Sequence, residues 1–493
     1  MSIDGFLTFL GLILALLALA SDATRRRLLL HWRSLALGSV VALPMALYLQ
    51  LFDALGRPCP AASACGGLIL GGEGRLGPGE AGYLVVLGWL VFVVWRVWPR
   101  RLGARHLPDL AGLLSALAEE KRFGELCRIA GPELGLVQAV ASGKVLRATT
   151  EQQASAQVVQ RLMHRREDLV RFIALERPRL AVDMMARRHA LVFDFADEVL
   201  TVLISTPGSQ LFAEVADNQG TTGVGYAYPA HNIYLHFLFA DAEQAKDLGV
   251  WQPVMEAVID GLREAGGSGY ADRLNGAVGR FSEHGRWKDP TFVGIRFLDL
   301  MVSAALVQGV RDHMWLFYAP HVLKQLLAIY DESQSGVNPM AETPTRAAWL
   351  IQELFSMQLR WIDSVAQLPD GSPHLTLEST RPVSEPANIP KSAILALTDC
   401  LEQLLTADHV PERFRRHIAH TVFRSVRGLP ADGPRAGFRE VLVAALVQPD
   451  DHREPYLLAL REAVTDFDPG LQDGVLDLRA ALDRVFPIWP RRR

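Results

Sequence analysis

Residues 82–98 read GYLVVLGWLVFVVWRVW and are followed at once by Pro99-Arg100-Arg101. Two further apolar runs precede this stretch, at 5–20 and 35–52, and everything after it in the 493-residue chain is mixed and charged in composition. The reading of 82–98 therefore decides where a membrane part would give way to a soluble one. Each run is about 16–18 residues long, near the lower limit for crossing a hydrocarbon core of about 30 Å. None carries an acid or a base deep inside it; Asp53 and Arg96 sit at ends, where a side chain reaches the interface.

The composition agrees with such a division. Hydrophobic residues make up 49% and the mean hydropathy is +0.14, too polar for a many-helix transporter, with the apolar excess before residue 100. A formal charge of −4 points to no global polyanion partner, so any contact with phosphate must come from a local patch.

The arginines set an orientation. Arg25, Arg26, Arg27 and Arg33 lie between the first and second runs, and Arg96, Arg100, Arg101 and Arg105 follow the third. The loop between the second and third runs holds only Arg57 and Arg75. The bias of basic residues toward the cytoplasm then predicts three transmembrane helices with the amino terminus outside, the 54–81 loop outside and the remainder in the cytoplasm of a bacterial-type inner membrane. A cleaved signal peptide at Ala18-Leu19-Ala20 is the competing reading; the missing positive charge before the first run and the three arginines after it oppose it.

In this topology Cys59 and Cys65 face an oxidising compartment, and their C-x5-C spacing predicts a disulfide that closes a small loop. In the second run Gly38, Ala42 and Ala46 recur every four residues, a face that lets helix backbones approach closely. Packing within the same chain is the expectation and self-association the alternative. With no ionisable group inside the runs, a pump or ion-coupled transporter is disfavoured.

Beyond residue 105 the periodicity predicts helices at 150–175, 241–264, 290–312, 314–331 and 344–366, a loop at 206–225, and a segment at 191–205 that suits helix or strand. The stretch 369–390, rich in Pro and Ser, reads as a linker. The expected fold is mainly α: a membrane domain at 1–104, an irregular, solenoid-like helical domain at 105–368, the linker, and a helical unit at 391–493 with a basic tail. An α+β domain is the alternative.

Few sequence patterns point to chemistry. No phosphate loop, HExxH helix or GxSxG elbow is present. Gly266-Gly267-Ser268-Gly269 reads as a turn, because Tyr270 stands where a nucleophile elbow needs glycine. Asp194, Asp197 and Glu198 would share one helix face, as a hard cation requires, but a solvated acidic face looks the same. No metal and no cofactor is expected. The clearest polar pattern is Arg413, His417, His420, Arg424 and Arg427, one continuous helical stripe suited to phosphate, anionic lipid or an acidic partner. The Trp489-Pro490-Arg491-Arg492-Arg493 tail suits the same lipid surface.

These features predict a membrane-anchored, non-enzymatic protein whose cytoplasmic helices bind a partner or ligand and couple it to the membrane part, with an oligomeric channel or membrane-perturbing effector as one form. The expected partners are the lipid bilayer, a protein partner or second copies of the chain, and anionic lipid or nucleic-acid phosphate. The alternatives are a membrane-anchored, phosphate-directed hydrolase and a structural scaffold.

Overall fold

The computed structural model describes residue 11 and residues 32–54, 77–97, 102–187, 189–218, 221–222, 225–311, 313, 315–430, 432–433, 435–448, 451–467 and 475–485. The first apolar run apart from Gly11, the arginines at 25–27, Cys59, Cys65 and the tail 486–493 lie outside the described residues. Within them the chain is helical almost throughout. Strand is confined to the short antiparallel pair Thr221–Thr222 and Gly225–Tyr226, with one isolated bridge between Ala277 and Thr345. The mainly α expectation holds, and the α+β alternative falls. The segment at 191–205 is the helix Val192–Ile204.

The chain divides into two units, residues 1–169 and 170–493. In the first, the helices Trp32–Ala54 and Pro78–Val97 pack against each other through their small residues. A Cβ on Gly38 would stand 2.8 Å from the Phe92 ring, so glycine is what lets the ring lie there. Ala46 is fully buried against Val86, and Gly82 faces the Ala46 carbonyl and the Gln50 amide. The Trp89 indole N–H donates to Ser39 Oγ at 3.1 Å, which satisfies two polar groups within the pair. The opposite faces turn apolar side chains outward: Leu37 is 72% exposed, Val40 69% and Val91 59%.

The apolar stretches of these two helices, Ala36–Leu51 and Gly79–Val93, fall in the range of 10–17 residues. Among the described residues the one helix long and apolar enough to cross a membrane is Pro290–Gln308, and 89% of it is buried inside the protein. Length and apolarity therefore select a core helix, and the count of three membrane helices does not follow from the described ones. After the pair, Leu107–Glu119 and Leu134–Ala141 both pack on Thr150–Arg165. Thr149 and Gln152 cap that last helix reciprocally, satisfying two of its free N–H groups.

In the second unit Pro290–Gln308 is covered by Val192–Ile204, Trp251–Arg263 and Arg346–Asp363. A Cβ at Gly294 would lie 2.3 Å from Val258 Cγ2, so this glycine sets how closely two of these helices approach. The core helix also carries a buried acid. Asp299 accepts from the Trp361 indole at 2.9 Å, Arg360 at 2.9 Å, the Tyr226 hydroxyl at 3.2 Å and the Arg296 guanidinium. Arg296 in turn lies 4.6 Å from the Tyr226 ring centroid. A buried carboxylate without such partners would cost several kcal/mol, on the order of the desolvation of one ion.

Further expectations change: the helix at 150–175 is the two helices Thr150–Arg165 and Glu167–Glu176, and that at 241–264 is Ala242–Leu248 and Trp251–Arg263. Residues 206–225 hold the helix Gln210–Asp217, anchored because the buried Glu214 accepts from the backbone N–H groups of Tyr234 and Leu235, both at 2.9 Å. The Pro/Ser-rich stretch packs into the unit. His374 is fully buried, and Asn388 caps the helix Ile389–Leu405 while donating to the His374 and Thr376 carbonyls. Lys391 Nζ meets Glu385 at 2.7 Å and the Ser379 carbonyl at 2.6 Å, with Lys391 and Glu385 both buried. Buried polar pairs hold it down.

Candidate functional site

A concentration of basic side chains without acid partners among the described residues lies at residues that share no regular spacing. The segment 270–289 runs from the helix Tyr270–Asn275 through the turns Gly279–Phe281 and Gly285–Lys288 to the start of the core helix. Glycine makes the path: Gly269 and Gly279 take positive φ of 69° and 45°. The bridge at Ala277–Thr345 and the Arg346 N–H on the Gly276 carbonyl, at 3.1 Å, fasten the segment to the helix Arg346–Asp363.

The segment shares an aromatic cluster with its neighbours. The Phe281 and Trp349 rings meet edge to face at 5.6 Å, the Trp287 and Phe292 rings at 4.9 Å, and the Arg286 guanidinium stacks within 4.9–5.7 Å of three of these rings. Arg273, Arg280, His284, Lys288 and Arg346 line one cavity of about 310 Å³ together with Phe281, of these rings, and Asp289. Arg346 donates to the Ala277 carbonyl at 3.3 Å and lies over Phe281. Among the described residues none of the five forms an ion pair with an acid.

Asp289 is the negative group in the cavity. It caps the core helix by accepting from the Phe292 N–H at 3.0 Å, and the Tyr270 hydroxyl donates to it at 3.0 Å. Thr291 Oγ1 lies 2.8 Å from the same hydroxyl. Burial, with the Asp289 charge second, pushes the Tyr270 phenol well above its ordinary value, which keeps it a donor. Burial also raises the Asp289 carboxyl, against the opposing pull of the Phe292 N–H, the Tyr270 hydroxyl and the Arg273 charge. One carboxylate held this way beside five basic side chains leaves the cavity cationic at neutral pH, an environment that concentrates anions.

The residues picked out by spacing go elsewhere. On the helix Glu412–Gly428, Arg413 donates to the Ala341 carbonyl at 2.9 Å, and His420 bonds the Ala463 carbonyl at 3.2 Å between Phe423 and Phe467. Burial lowers the His420 pKa. His417 is half-buried and Arg424 exposed, while the Arg427 side chain lies outside the described residues. Asp194 and Asp197 are exposed and Glu198 half-buried on Val192–Ile204; burial, then Glu256 and Asp194, raises the Asp197 carboxyl. Among the described residues no three potential ligands converge on a metal position. Gly38, Ala42 and Ala46 lie along the helix that pairs with Pro78–Val97.

A larger groove of about 860 Å³ lies beside Ala436–Leu446 and Leu476–Val485. Of its three arginines, Arg439 is paired with Asp477 at 2.8 Å, while Arg381 and Arg484 form no ion pair among the described residues. No family model, curated protein or solved structure matches this chain.

Proposed function

We propose that this chain is a membrane-anchored, non-enzymatic binding protein whose helical domain takes up a small phosphate-bearing anion in the cavity lined by Arg273, Arg280, His284, Lys288 and Arg346. The observation that carries the reading is that five basic side chains share one cavity without an acid partner among the described residues. Charge-assisted bonds to such groups contribute about 1.5–3 kcal/mol each, and a guanidinium can grip two phosphate oxygens at once.

The anchor in this reading is the apolar hairpin Trp32–Ala54 and Pro78–Val97, joined by the run at 5–20 to make three spans with the amino terminus outside and the helical domain on the cytoplasmic side of an inner membrane. Support comes from the exposed Leu37, Val40 and Val91 and from the placement of the arginines. Coupling between ligand and membrane part remains the expected role, with a protein partner or further copies of the chain as the receiver.

A second reading, a phosphate-directed hydrolase, gains one observation: the Asp289 carboxylate lines the same cavity. It predicts release of phosphate from bound ligand, whereas the binding reading predicts recovery of the ligand intact.

Calorimetry on the full-length protein in nanodiscs, titrated with inorganic pyrophosphate, tests the proposal. Saturable binding is expected, and Arg273→Glu with Arg280→Glu should weaken it by at least about tenfold, or ~1.4 kcal/mol. No binding by the native protein, or equal binding by the double variant, would overturn it.

A further inference from the structure

The basic cavity does not stand alone. A second cavity of about 400 Å³ adjoins it and shares Arg273, Lys288 and Asp289 with it. The two have different linings. The first is rimmed by guanidinium, ammonium and imidazole groups. The second has an apolar wall in Ile204, Pro207 and Val258, and hydrogen-bonding groups in Glu264 and Ser268. Each volume falls in the range of about 300–1,000 Å³ seen for small-ligand pockets.

We infer that the ligand is a nucleoside phosphate, with its phosphates in the basic cavity and its nucleoside in the adjoining one. This rests on the anion-binding reading above and specifies what the anion is attached to. The chemistry of the second cavity makes the selection. A bare inorganic anion would leave it to water. A fatty chain lying along the apolar wall would offer the Glu264 carboxylate and the Ser268 hydroxyl no hydrogen bond. A nucleoside suits both sides: its flat base covers the apolar wall, and its hydroxyls and exocyclic amine donate to the carboxylates.

Arg273 and Lys288, which border both cavities, are placed to hold the phosphate next to the sugar. Asp289 lies at the same junction, already fixed in orientation by the Phe292 N–H and the Tyr270 hydroxyl. A carboxylate held there repels a phosphate that slides toward the second cavity and accepts from a neutral donor in the same place. The junction thus sets the direction in which the ligand lies.

Gly261 gives a way to close the second cavity without touching the first. It lines the second cavity, sits within the helix Trp251–Arg263, and a Cβ built on it would meet nothing within 4 Å. Gly261→Leu therefore fills the space while removing a helix-weakening glycine. Ala257→Phe, one turn earlier on the same helix and also in the lining, is the second variant.

The test titrates inorganic pyrophosphate, a set of nucleoside diphosphates and a pentose 5-phosphate into the full-length protein in nanodiscs, with a thermal melt of each variant as the check on folding. In the native protein at least one nucleoside diphosphate should bind about tenfold or more tighter than pyrophosphate. In Gly261→Leu and Ala257→Phe that advantage should vanish while pyrophosphate affinity stays within about twofold. Pyrophosphate binding with no gain from any nucleoside overturns the inference and leaves the anion-binding reading standing. A pentose phosphate that binds as tightly as the nucleoside diphosphates overturns it as well. Failure of every ligand, pyrophosphate included, removes both.

Discussion

The helix Pro290–Gln308 and the pair Trp32–Ala54 and Pro78–Val97 are alike in apolar content and opposite in what they do with charge. The core helix holds Arg296 and Asp299 near its middle and buries them among Trp361, Tyr226 and Arg360. The paired helices keep ionisable groups to their ends, satisfy Trp89 with Ser39 between them, and turn Leu37, Val40 and Val91 outward. A polar group in the middle of an apolar helix is affordable when protein supplies its partner, and lipid supplies none. The position of charge, more than the total of apolar residues, separates the core helix from the paired ones.

The comparison can be broken most directly at Asp299. Asp299→Ala leaves Arg296 buried without its acid and the Trp361 indole without an acceptor, and should cost about 3–5 kcal/mol. Urea unfolding followed by tryptophan fluorescence measures this; a midpoint equal to that of the native protein would mean the ion cluster does not fit the core helix to its surroundings. The matching experiment on the pair places Val41→Lys and Leu87→Lys on outward faces, where both residues are exposed. Each lysine costs about 2.5–3.5 kcal/mol at the centre of a membrane helix. The doubly substituted chain should leave the membrane fraction in an alkaline wash, and retention would refute the bilayer reading of this face.

A smaller effect sharpens the packing side. Gly294→Ala drives a methyl against Val258, and overpacking of about 1–3 kcal/mol outweighs the gain in helix propensity of about 1 kcal/mol. The melting temperature should fall, and Val258→Ala in the same chain should restore part of it. Additive losses would show that the 2.3 Å approach at Gly294 relaxes without strain.

The helical class was legible because periodic apolar faces recur through most of the chain, as in the Arg346–Asp363 and Trp251–Arg263 helices. Glycine was harder to weigh: one helical pattern at 241–264 is two helices parted at Gly249, where φ is +66°. The stretch 369–390 read as a linker because proline and serine are common in chains that do not pack. Its burial depends on Asn388, Glu385 and Lys391 meeting partners that composition cannot reveal.

The basic cavity escaped notice for a related reason. Arg273, Arg280, His284 and Lys288 are brought together by two short turns, and Arg346 joins them across the Ala277–Thr345 bridge. No fixed spacing encodes such a meeting, although the density of basic residues at 280–288 was visible. The Arg413–His420 stripe had ideal spacing, yet Arg413 and His420 satisfy backbone carbonyls of neighbouring segments.

The strap between His374 and Lys391 sets a limit on how this chain can be divided or recombined. A gene fusion or truncation placed in a proline-rich stretch normally leaves both halves intact, and here a cut between Ser379 and Glu385 would separate the His374, Thr376 and Ser379 carbonyls from the Asn388 and Lys391 side chains that donate to them. The carboxy-terminal helices are therefore inherited with the core they close over.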